Sequence, residues 1–254
     1  MGRYTILGNP AKHSKSPALF AAAYKNCHGL SYDVNEPENA KQCVEILKNG
    51  YDGGNITAPF KEEIFGMADE VSQTAAIIEA VNTVTVSDRK IKADNCDHYG
   101  VSKSFEEFGV SLNNKSCLLL GIGGAGKAAA YAVSNAGGKL VIVNRTESKA
   151  KYFASKLNCE TATPNDLEFL LKTADIIVNT LYGNIDIVDI KWLNPCQVIL
   201  DASYIGSMLL EKAKNVGCTT VDGRYWLYYQ ALYCFKLFTG IEPDKTAMRN
   251  VLNI

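Results

Sequence analysis

The stretch CLLLGIGGAGKAAA, residues 117–130, decides the fold class of this 254-residue chain. Its apolar start predicts a buried strand and its alanine-rich end predicts a helix. Gly121, Gly123 and Gly126 stand between the two as a G-x-G-x-x-G pattern. Glycines at this spacing permit a tight turn and let the backbone approach a pyrophosphate at the helix N-terminus. The stretch therefore indicates a dinucleotide-binding loop within a β-α-β unit.

The same loop also contains most of another phosphate-binding motif. Gly121, Gly126 and Lys127 match the G-x-x-x-x-G-K part of a P-loop, but Ala128 follows where Ser or Thr would bind Mg²⁺. A glycine-rich turn without any ligand is a third interpretation, which the entropic cost of three glycines makes less attractive. We therefore favour a dinucleotide as the ligand.

The end of the next predicted strand, in KLVIVNRT at residues 139–146, bears on the choice of cofactor. An Asp or Glu at this point would bind the ribose 2′-hydroxyl of NAD, whereas an Arg accommodates the 2′-phosphate of NADP. This chain has Asn144, Arg145 and Thr146 there. Because the planar guanidinium group binds phosphate well, the sequence predicts NADP. The alternative is that Arg145 is an ordinary solvated loop cation.

Predicted strands and helices alternate on both sides of the glycine loop. The N-terminal part is predicted to have the order β-α-β-α-β, with its first helix over residues 16–28. Further along, two runs of alternating apolar and polar residues flank residues 87–89, a pattern that indicates a β-hairpin. A second alternating series begins near residue 116, and the pattern becomes helical from Tyr225 onward. We predict an α/β protein of two α/β domains. Residues 1–96 plus about 225–254 form a substrate domain with a mostly parallel sheet, and residues 97–224 form a Rossmann-type NADP-binding domain.

Composition excludes several classes of protein. Lys plus Arg number 26 and Asp plus Glu number 27, a balance that argues against a nucleic-acid partner. The chain has no run of 18 apolar residues, so no membrane span is expected. The N-terminus lacks the long apolar core of a secretory signal. The eight cysteines form no C-x-x-C pair and mostly lie in apolar runs, so we expect buried, reduced thiols in a cytoplasmic protein. The three histidines lack metal-ligand spacing, so no metal is expected.

Polar side chains cluster in the N-terminal half. Ser14 and Ser16 precede a predicted helix and could bind a carboxylate, although Ser16 could simply be the N-cap. Lys61 follows a strand, Asn82 begins one, and Asp97 begins a helix. A lysine beside a carboxylate can move a proton. Each residue taken singly also fits a structural role, so the case for a catalytic site depends on their joint occurrence.

This set of motifs resembles the shikimate dehydrogenase family over nearly the whole chain. The resemblance is carried by SKSP (14–17), NITAPFK (55–61), AVNT (80–83), DNCDHYG (94–100), GIGGAG (121–126), NRT (144–146), and DG (222–223) with Gln230. The family reduces 3-dehydroshikimate reversibly to shikimate with NADPH, in the biosynthesis of chorismate and the aromatic amino acids. The resemblance therefore implies an NADP-dependent oxidoreductase with a small-molecule substrate, no nucleic-acid or membrane partner, and a monomeric or homodimeric state.

The resemblance also implies the roles of individual residues. Lys61 and Asp97 are expected to form the catalytic acid–base pair. Substrate binding is expected from Ser14, Ser16 and Tyr204 at the carboxylate, and from Thr57, Asn82 and Gln230 at the ring hydroxyls. Cofactor binding is expected from Gly121, Gly123, Gly124, Ala125, Gly126, Asn144, Arg145, Thr146, Thr180 and Gly223.

Several positions depart from the family pattern. Ala93 and Cys96 replace a common Gly and Thr, Leu181 follows Thr180 where Pro is common, and residues 224–226 read Arg-Tyr-Trp where the family continues toward Met-Leu. The last change falls in the segment expected beside the nicotinamide. Two alternatives stay open: a dehydrogenase of quinate or another cyclohexane carboxylate, and a non-catalytic NADP-binding regulatory protein. The presence of both Lys61 and Asp97 favours an enzyme.

Overall fold

The computed structural model describes residues 2–24, 29–183 and 185–254. The chain divides into two compact units, one comprising the residues up to Cys96 together with Tyr228–Ile254, and the other comprising Asp97–Leu227. Each unit contains one sheet, and helices lie between most of its strands along the chain. The predicted α/β fold class is confirmed. No helix within the described ranges is both long and apolar enough to cross a bilayer.

The sheet of the first unit is mixed. Its strands are β1 Gly2–Leu7, β2 Leu30–Asn35, β3 Gly53–Ile56, β4 Glu70–Val71, β5 Thr83–Ser87 and β6 Lys90–Asp94, in the order β2-β1-β3-β5-β6-β4. β1 is parallel to β2 and β3, and β4 is parallel to β6, whereas β5 is antiparallel to both β3 and β6. The helices before the second unit are α1 Ser16–Ala23, α2 Ala40–Gly50, α3 Lys61–Phe65 and α4 Gln73–Ile78.

In this unit the predicted hairpin is confirmed, but two short elements were not predicted. Asp88 and Arg89 have φ angles of 51° and 60°, the left-handed conformation that a two-residue hairpin turn requires. The short elements β4 and α4 were not predicted, because neither is long enough to show a period. The end of the first predicted helix, residues 25–28, lies outside the described residues.

The second unit has an all-parallel sheet. Its strands are β7 Ser116–Leu120, β8 Lys139–Val143, β9 Glu160–Ala162, β10 Ile176–Asn179, β11 Val198–Asp201 and β12 Thr219–Asp222, in the order β12-β11-β10-β7-β8-β9. The helices of this unit are α5 Asp97–Glu107, α6 Gly124–Asn135, α7 Glu147–Leu157, α8 Leu167–Thr173 and α9 Met208–Val216. Helix α10, Gly223–Thr239, begins in this unit and continues into the first unit, to which α11 Lys245–Leu252 also belongs.

This strand order is that of a doubly wound dinucleotide-binding sheet. The order reverses between β7 and β10, and in such sheets a ligand binds outside the carboxyl ends of the strands at the point of reversal. Gly121, which follows β7, and Thr180, which follows β10, lie at this point. The core beneath it is made of residues such as Leu119, Val178 and Leu200, which are completely buried.

Candidate active site

The glycine loop between β7 and α6 is shaped by contacts that only glycine allows. Gly121 has a φ of +93°, in the left-handed region. A Cβ atom on Gly126 would lie 2.3 Å from the Gly121 carbonyl oxygen, so this glycine lets α6 approach the strand closely. Gly123, at the N-cap of α6, has open space around it and brings no side chain to the cap. The N–H groups of the first helical turn therefore remain available to an anion.

Thr180 supports this loop from the neighbouring strand. Its hydroxyl group lies 3.0 Å from the Leu120 carbonyl oxygen and 3.2 Å from that of Gly121, and it donates to them. These bonds hold the turn after β7 against the end of β10. The expected direct contact between Thr180 and the cofactor stays a prediction.

The turn after β8 carries the residues expected at the 2′-phosphate. Asn144 Oδ1 accepts from Ile122 N at 3.3 Å, and Asn144 Nδ2 donates to the Thr146 carbonyl oxygen at 3.0 Å, so this side chain ties the turn to the glycine loop. Arg145 and Thr146 are exposed. Within the described part of the chain, Arg145 has no acidic partner, and the Thr146 hydroxyl forms no bond to its own helix. Both groups are therefore available to a phosphate.

The turn after β11 carries Tyr204, which is half-buried. The buried carboxylate of Asp201 organises this turn, because it accepts from Asn179 Nδ2 at 2.9 Å, from Ser203 N at 2.8 Å and from Ser207 Oγ at 2.7 Å. A buried carboxylate needs such donors. Asp201 was not among the predicted site residues, and its position at a strand end was the available signal.

Gly223 opens α10 at another close approach. A Cβ atom there would lie 2.6 Å from the carbonyl oxygens of both Ala202 and Ser203. This glycine therefore lets the start of α10 pack against the turn that carries Tyr204.

Asp97 is the first residue of α5, and its side chain is only 3% exposed. Its Oδ1 accepts a hydrogen bond of 3.1 Å from the indole Nε1 of Trp226, which is 4% exposed. Residues 224–226 depart from the family pattern, but no local signal in the sequence indicates this contact across 129 residues.

In the first unit, backbone bonds bring Lys61 and Asn82 into neighbouring positions. Val81 N donates to the Lys61 carbonyl oxygen at 2.8 Å, and Ile56 N donates to that of Asn82 at 2.9 Å. Lys61 begins α3 directly after the turn that follows β3, and it is half-buried. The first turn of α3 therefore lies beside the start of β5.

Asn82 and Gln230 are in direct contact. Cys96 N donates to Asn82 Oδ1 at 2.8 Å, which fixes the orientation of the buried amide group. Asn82 Nδ2 then donates to Gln230 Oε1 at 2.9 Å. Two residues predicted to bind the same substrate are thus joined across 148 positions of sequence.

Two thiol groups lie beneath this amide pair. Cys96 Sγ and Cys234 Sγ are 2.9 Å apart, and each contacts the Thr83 hydroxyl, at 3.1 Å and 2.9 Å respectively. Both cysteines are buried thiols outside any disulfide, as are Cys43, Cys117 and Cys218. Burial raises the pKa of the Cys43 and Cys117 thiols to about 12. The prediction of buried thiols is wrong for Cys196, which is exposed, and Cys27 lies outside the described residues.

Ser14 and Ser16 flank the start of α1, but not as the alternative interpretation expected. Lys15 occupies the N-cap and Ser16 is the first helical residue, so Ser16 is not the cap. Ser14 Oγ instead accepts from Ser16 N at 3.1 Å. The Ser16 side chain faces the Tyr32 phenol: burial raises the pKa of that phenol well above its ordinary value, and the hydrogen bond from Ser16 opposes the shift.

Glu36 braces the loop that leads to Ser14. Its carboxylate accepts from Ala11 N at 2.8 Å and Lys12 N at 3.0 Å, and its other oxygen pairs with Lys12 Nζ at 2.9 Å. The lysine and the two backbone N–H groups lower the pKa of this carboxyl group to about 2. No local pattern in the sequence indicates this role of Glu36, because its partners lie 24 and 25 residues away.

Thr57 continues the chain after β3. Its N–H donates to the Leu7 carbonyl oxygen at 2.9 Å, which keeps it in register with the end of β1. Its methyl group fills the space above Gly8, where a Cβ atom would be 2.1 Å away. Within the described residues, no three His, Cys, Asp or Glu side chains are grouped as metal ligands.

Family models match both parts of the chain. Residues 6–84 match the shikimate dehydrogenase substrate-binding domain, and residues 102–203 match the shikimate/quinate 5-dehydrogenase domain. The NADP⁺-dependent shikimate dehydrogenase of Aquifex aeolicus is 36% identical over 99% of this chain and 96% of its own length. That of Methanocaldococcus jannaschii is 35% identical over 97% of this chain and 94% of its own length.

Solved structures agree with these matches. The shikimate 5-dehydrogenase of Thermus thermophilus in complex with NADP(H) and shikimate has a TM-score of 0.89 and 27% identity, covering 100% of this chain and 99% of that one. With the glycine loop, the free Arg145 and the Asn82–Gln230 pair in place, the chain belongs to the shikimate dehydrogenase family.

Proposed function

We propose that this protein catalyses the reversible, NADPH-dependent reduction of 3-dehydroshikimate to shikimate. The observation that carries this proposal is the neighbourhood of Lys61 and the Asn82–Gln230 amide pair, formed through the Val81 bond to the Lys61 carbonyl oxygen. These bonds support the grouping of Lys61 with two side-chain amides in one site of the first unit. Membership of the family, with NADP⁺-dependent relatives, supports both the substrate and the cofactor.

The second unit suits NADPH. The open N-terminus of α6 would receive the pyrophosphate, and Arg145 with Thr146 would receive the 2′-phosphate. When bound, NADPH supplies the hydride. Asn144 and Thr180 would act mainly by holding the glycine loop, because their polar atoms already bond to it or to the adjoining turn.

The first unit suits a polyhydroxylated ring. Gln230 Nε2 has no acceptor among the described residues, and Asn82 Nδ2 uses one of its two protons on Gln230. Both amides can therefore donate to substrate oxygens, together with the Thr57 hydroxyl. Ser14, Ser16 and Tyr204 would bind the carboxylate of the substrate.

Lys61 and Asp97 would carry the proton chemistry. Reduction of a ketone builds negative charge on its oxygen, which an ammonium group stabilises and then protonates. The Asp97 carboxylate would act with the lysine as its acid–base partner. In the oxidation of shikimate the same pair would remove the hydroxyl proton. We propose that the enzyme acts in the cytoplasm as a monomer or homodimer.

The decisive experiment is a spectrophotometric assay of nicotinamide oxidation. We expect turnover with NADPH and 3-dehydroshikimate, and much slower turnover with NADH or with 3-dehydroquinate. Faster oxidation of quinate than of shikimate would overturn the substrate assignment. Absence of turnover with every pair, despite NADPH binding, would favour the non-catalytic alternative.

Lys61→Ala tests the catalytic role within the same assay. General acid–base catalysis contributes roughly 10²–10⁴-fold, so we expect a loss of kcat of that order with NADPH binding preserved. Lys41→Ala, at an exposed position on α2, is the matched control and should keep full activity. Unchanged turnover in Lys61→Ala would remove Lys61 from the mechanism.

A further inference from the structure

Trp226 and Asp97 form a buried donor–acceptor pair within the second unit. The indole Nε1 lies 3.1 Å from Asp97 Oδ1, and the two residues are 4% and 3% exposed. An indole N–H can only donate, and a buried carboxylate needs donors. The contact therefore satisfies the indole N–H and gives one oxygen of the carboxylate a donor.

Gly100 makes room for this contact. It lies three residues after Asp97 on α5, and a Cβ atom there would be 2.7 Å from Trp226 Cδ1 and 2.7 Å from the Trp226 carbonyl oxygen. Glycine within a helix is unfavourable relative to alanine. The close approach of the indole to the first turn of α5 accounts for a glycine at this position.

Neighbouring contacts constrain the segment that carries the indole. Tyr225 packs edge-to-face against Phe108, beyond the other end of α5, with ring centroids 4.9 Å apart and an interplanar angle of 83°. Gly223 fits the start of α10 against the Ala202 and Ser203 carbonyl oxygens. The backbone that leads to Trp226 is thus constrained at Gly223 and at Tyr225.

We infer that Trp226 is a positioning residue for the reaction: its indole N–H holds the Asp97 carboxylate in one rotation. The inference rests on the proposed function, in which Asp97 is catalytic. A methionine or leucine at this position would have no side-chain N–H donor, so the contact depends on the tryptophan itself. Loss of the N–H should lower kcat rather than raise the KM for either substrate, since Trp226 acts through Asp97.

The test removes one N–H group while preserving the shape of the ring. The chain has two tryptophans, so a Trp192→Phe parent leaves Trp226 as the single site for incorporating the sulfur isostere benzothienylalanine. Against that parent, we expect kcat to fall about 10-fold or more, because hydrogen bonds to charged groups contribute substantially. The KM values should change less than about 2-fold. Trp226→Phe should show the same pattern, and thermal unfolding of each variant reports any purely structural effect.

The same substitution in an Asp97→Ala background completes the double-mutant cycle. We expect no further loss of kcat there, because the indole has no carboxylate to hold. An equal loss in both backgrounds, or no loss with Asp97 present, would overturn the role of Trp226. If Asp97→Ala itself retains full turnover, the proposed role of Asp97 fails and the inference fails with it. If Asp97→Ala loses most of its kcat but the benzothienylalanine variant at Trp226 keeps full kcat, the inference about Trp226 is wrong while the proposed role of Asp97 stands.

Discussion

Gly126 lies so close to Gly121 that a methyl group on Gly126 would be 2.3 Å from the Gly121 carbonyl oxygen. Gly123, between them in the same motif, has no atom within 4 Å of its added Cβ position. The first contact is internal to the fold, whereas the open side of Gly123 is where a pyrophosphate would approach. One motif therefore meets two separate physical requirements.

Alanine at these two positions should separate stability from cofactor binding. Gly126→Ala forces the backbone apart and should destabilise the protein by about 1–3 kcal/mol, as overpacked sites do. Gly123→Ala should leave the free energy of unfolding nearly unchanged but weaken NADPH binding, because the methyl group occupies the anion's approach. Urea unfolding and calorimetric titration with NADPH measure the two effects. Full NADPH affinity in Gly123→Ala would argue against a pyrophosphate at α6.

Arg145→Ala should discriminate between the two nicotinamide cofactors. A charge-assisted hydrogen bond contributes about 1.5–3 kcal/mol, which corresponds to about 10–150-fold in NADPH affinity. NADH lacks the 2′-phosphate, so its affinity should hardly change. Lys172→Ala on α8 removes a comparable exposed charge and serves as the control. If both cofactors bound equally more weakly to Arg145→Ala, the residue would stack on adenine or act structurally instead of binding phosphate.

Asn82→Ala should impair both stability and substrate binding. It leaves the buried Cys96 N–H without its acceptor, at a cost of about 1–3 kcal/mol. It also releases Gln230, so the KM for 3-dehydroshikimate should rise. Gln230→Ala, at a half-buried position, should raise KM with a smaller loss of stability. Denaturant unfolding and steady-state kinetics on the two variants distinguish these effects. If Asn82→Ala were as stable as the wild type, the proposed structural role of Asn82 as the acceptor of the Cys96 N–H would be wrong.

Glu36→Gln should alter the response to acid. The pKa of Glu36 is lowered from 4.5 to about 2 in the folded protein, so the unfolded chain binds more protons between those values. The stabilisation is present above pH 4.5 and is lost as the pH falls toward about 2. The wild type should therefore unfold at a higher temperature than the variant above this window, and the two curves should converge within it.

The control for Glu36→Gln is Glu45→Gln, which removes the same charge from an exposed position on α2. Because Glu36 also braces the loop that carries Ser14, its variant should raise the KM for the substrate. A constant difference in unfolding temperature across the acid range would mean that the carboxylate does not act through its ionisation.

Local sequence signals were enough for much of the fold. The glycine loop, the left-handed turn at Asp88 and Arg89, and the alternation of strand and helix all depend on residues within a few positions of each other. Backbone sterics and the periodicity of apolar residues determine such features, and both are visible in the local sequence. Arg145 after β8 indicated NADP for the same reason, since a strand end and its next residue are neighbours in sequence.

Other features were decided by tertiary structure alone. Ser14 rather than Ser16 accepts the first-turn N–H of α1, Asn82 meets Gln230 across 148 residues, and Trp226 meets Asp97 across 129. The topology determines which elements meet, and therefore which groups can form hydrogen bonds with each other. A buried polar group needs such a partner, because leaving it unpaired away from water costs free energy. The sequence by itself determined the sheet class and the cofactor-binding loop, because these require particular residues at short range. Only the folded chain determined which donors hold the side chains that are predicted to be catalytic or substrate-binding, because desolvation acts on groups that are distant in sequence and adjacent in space.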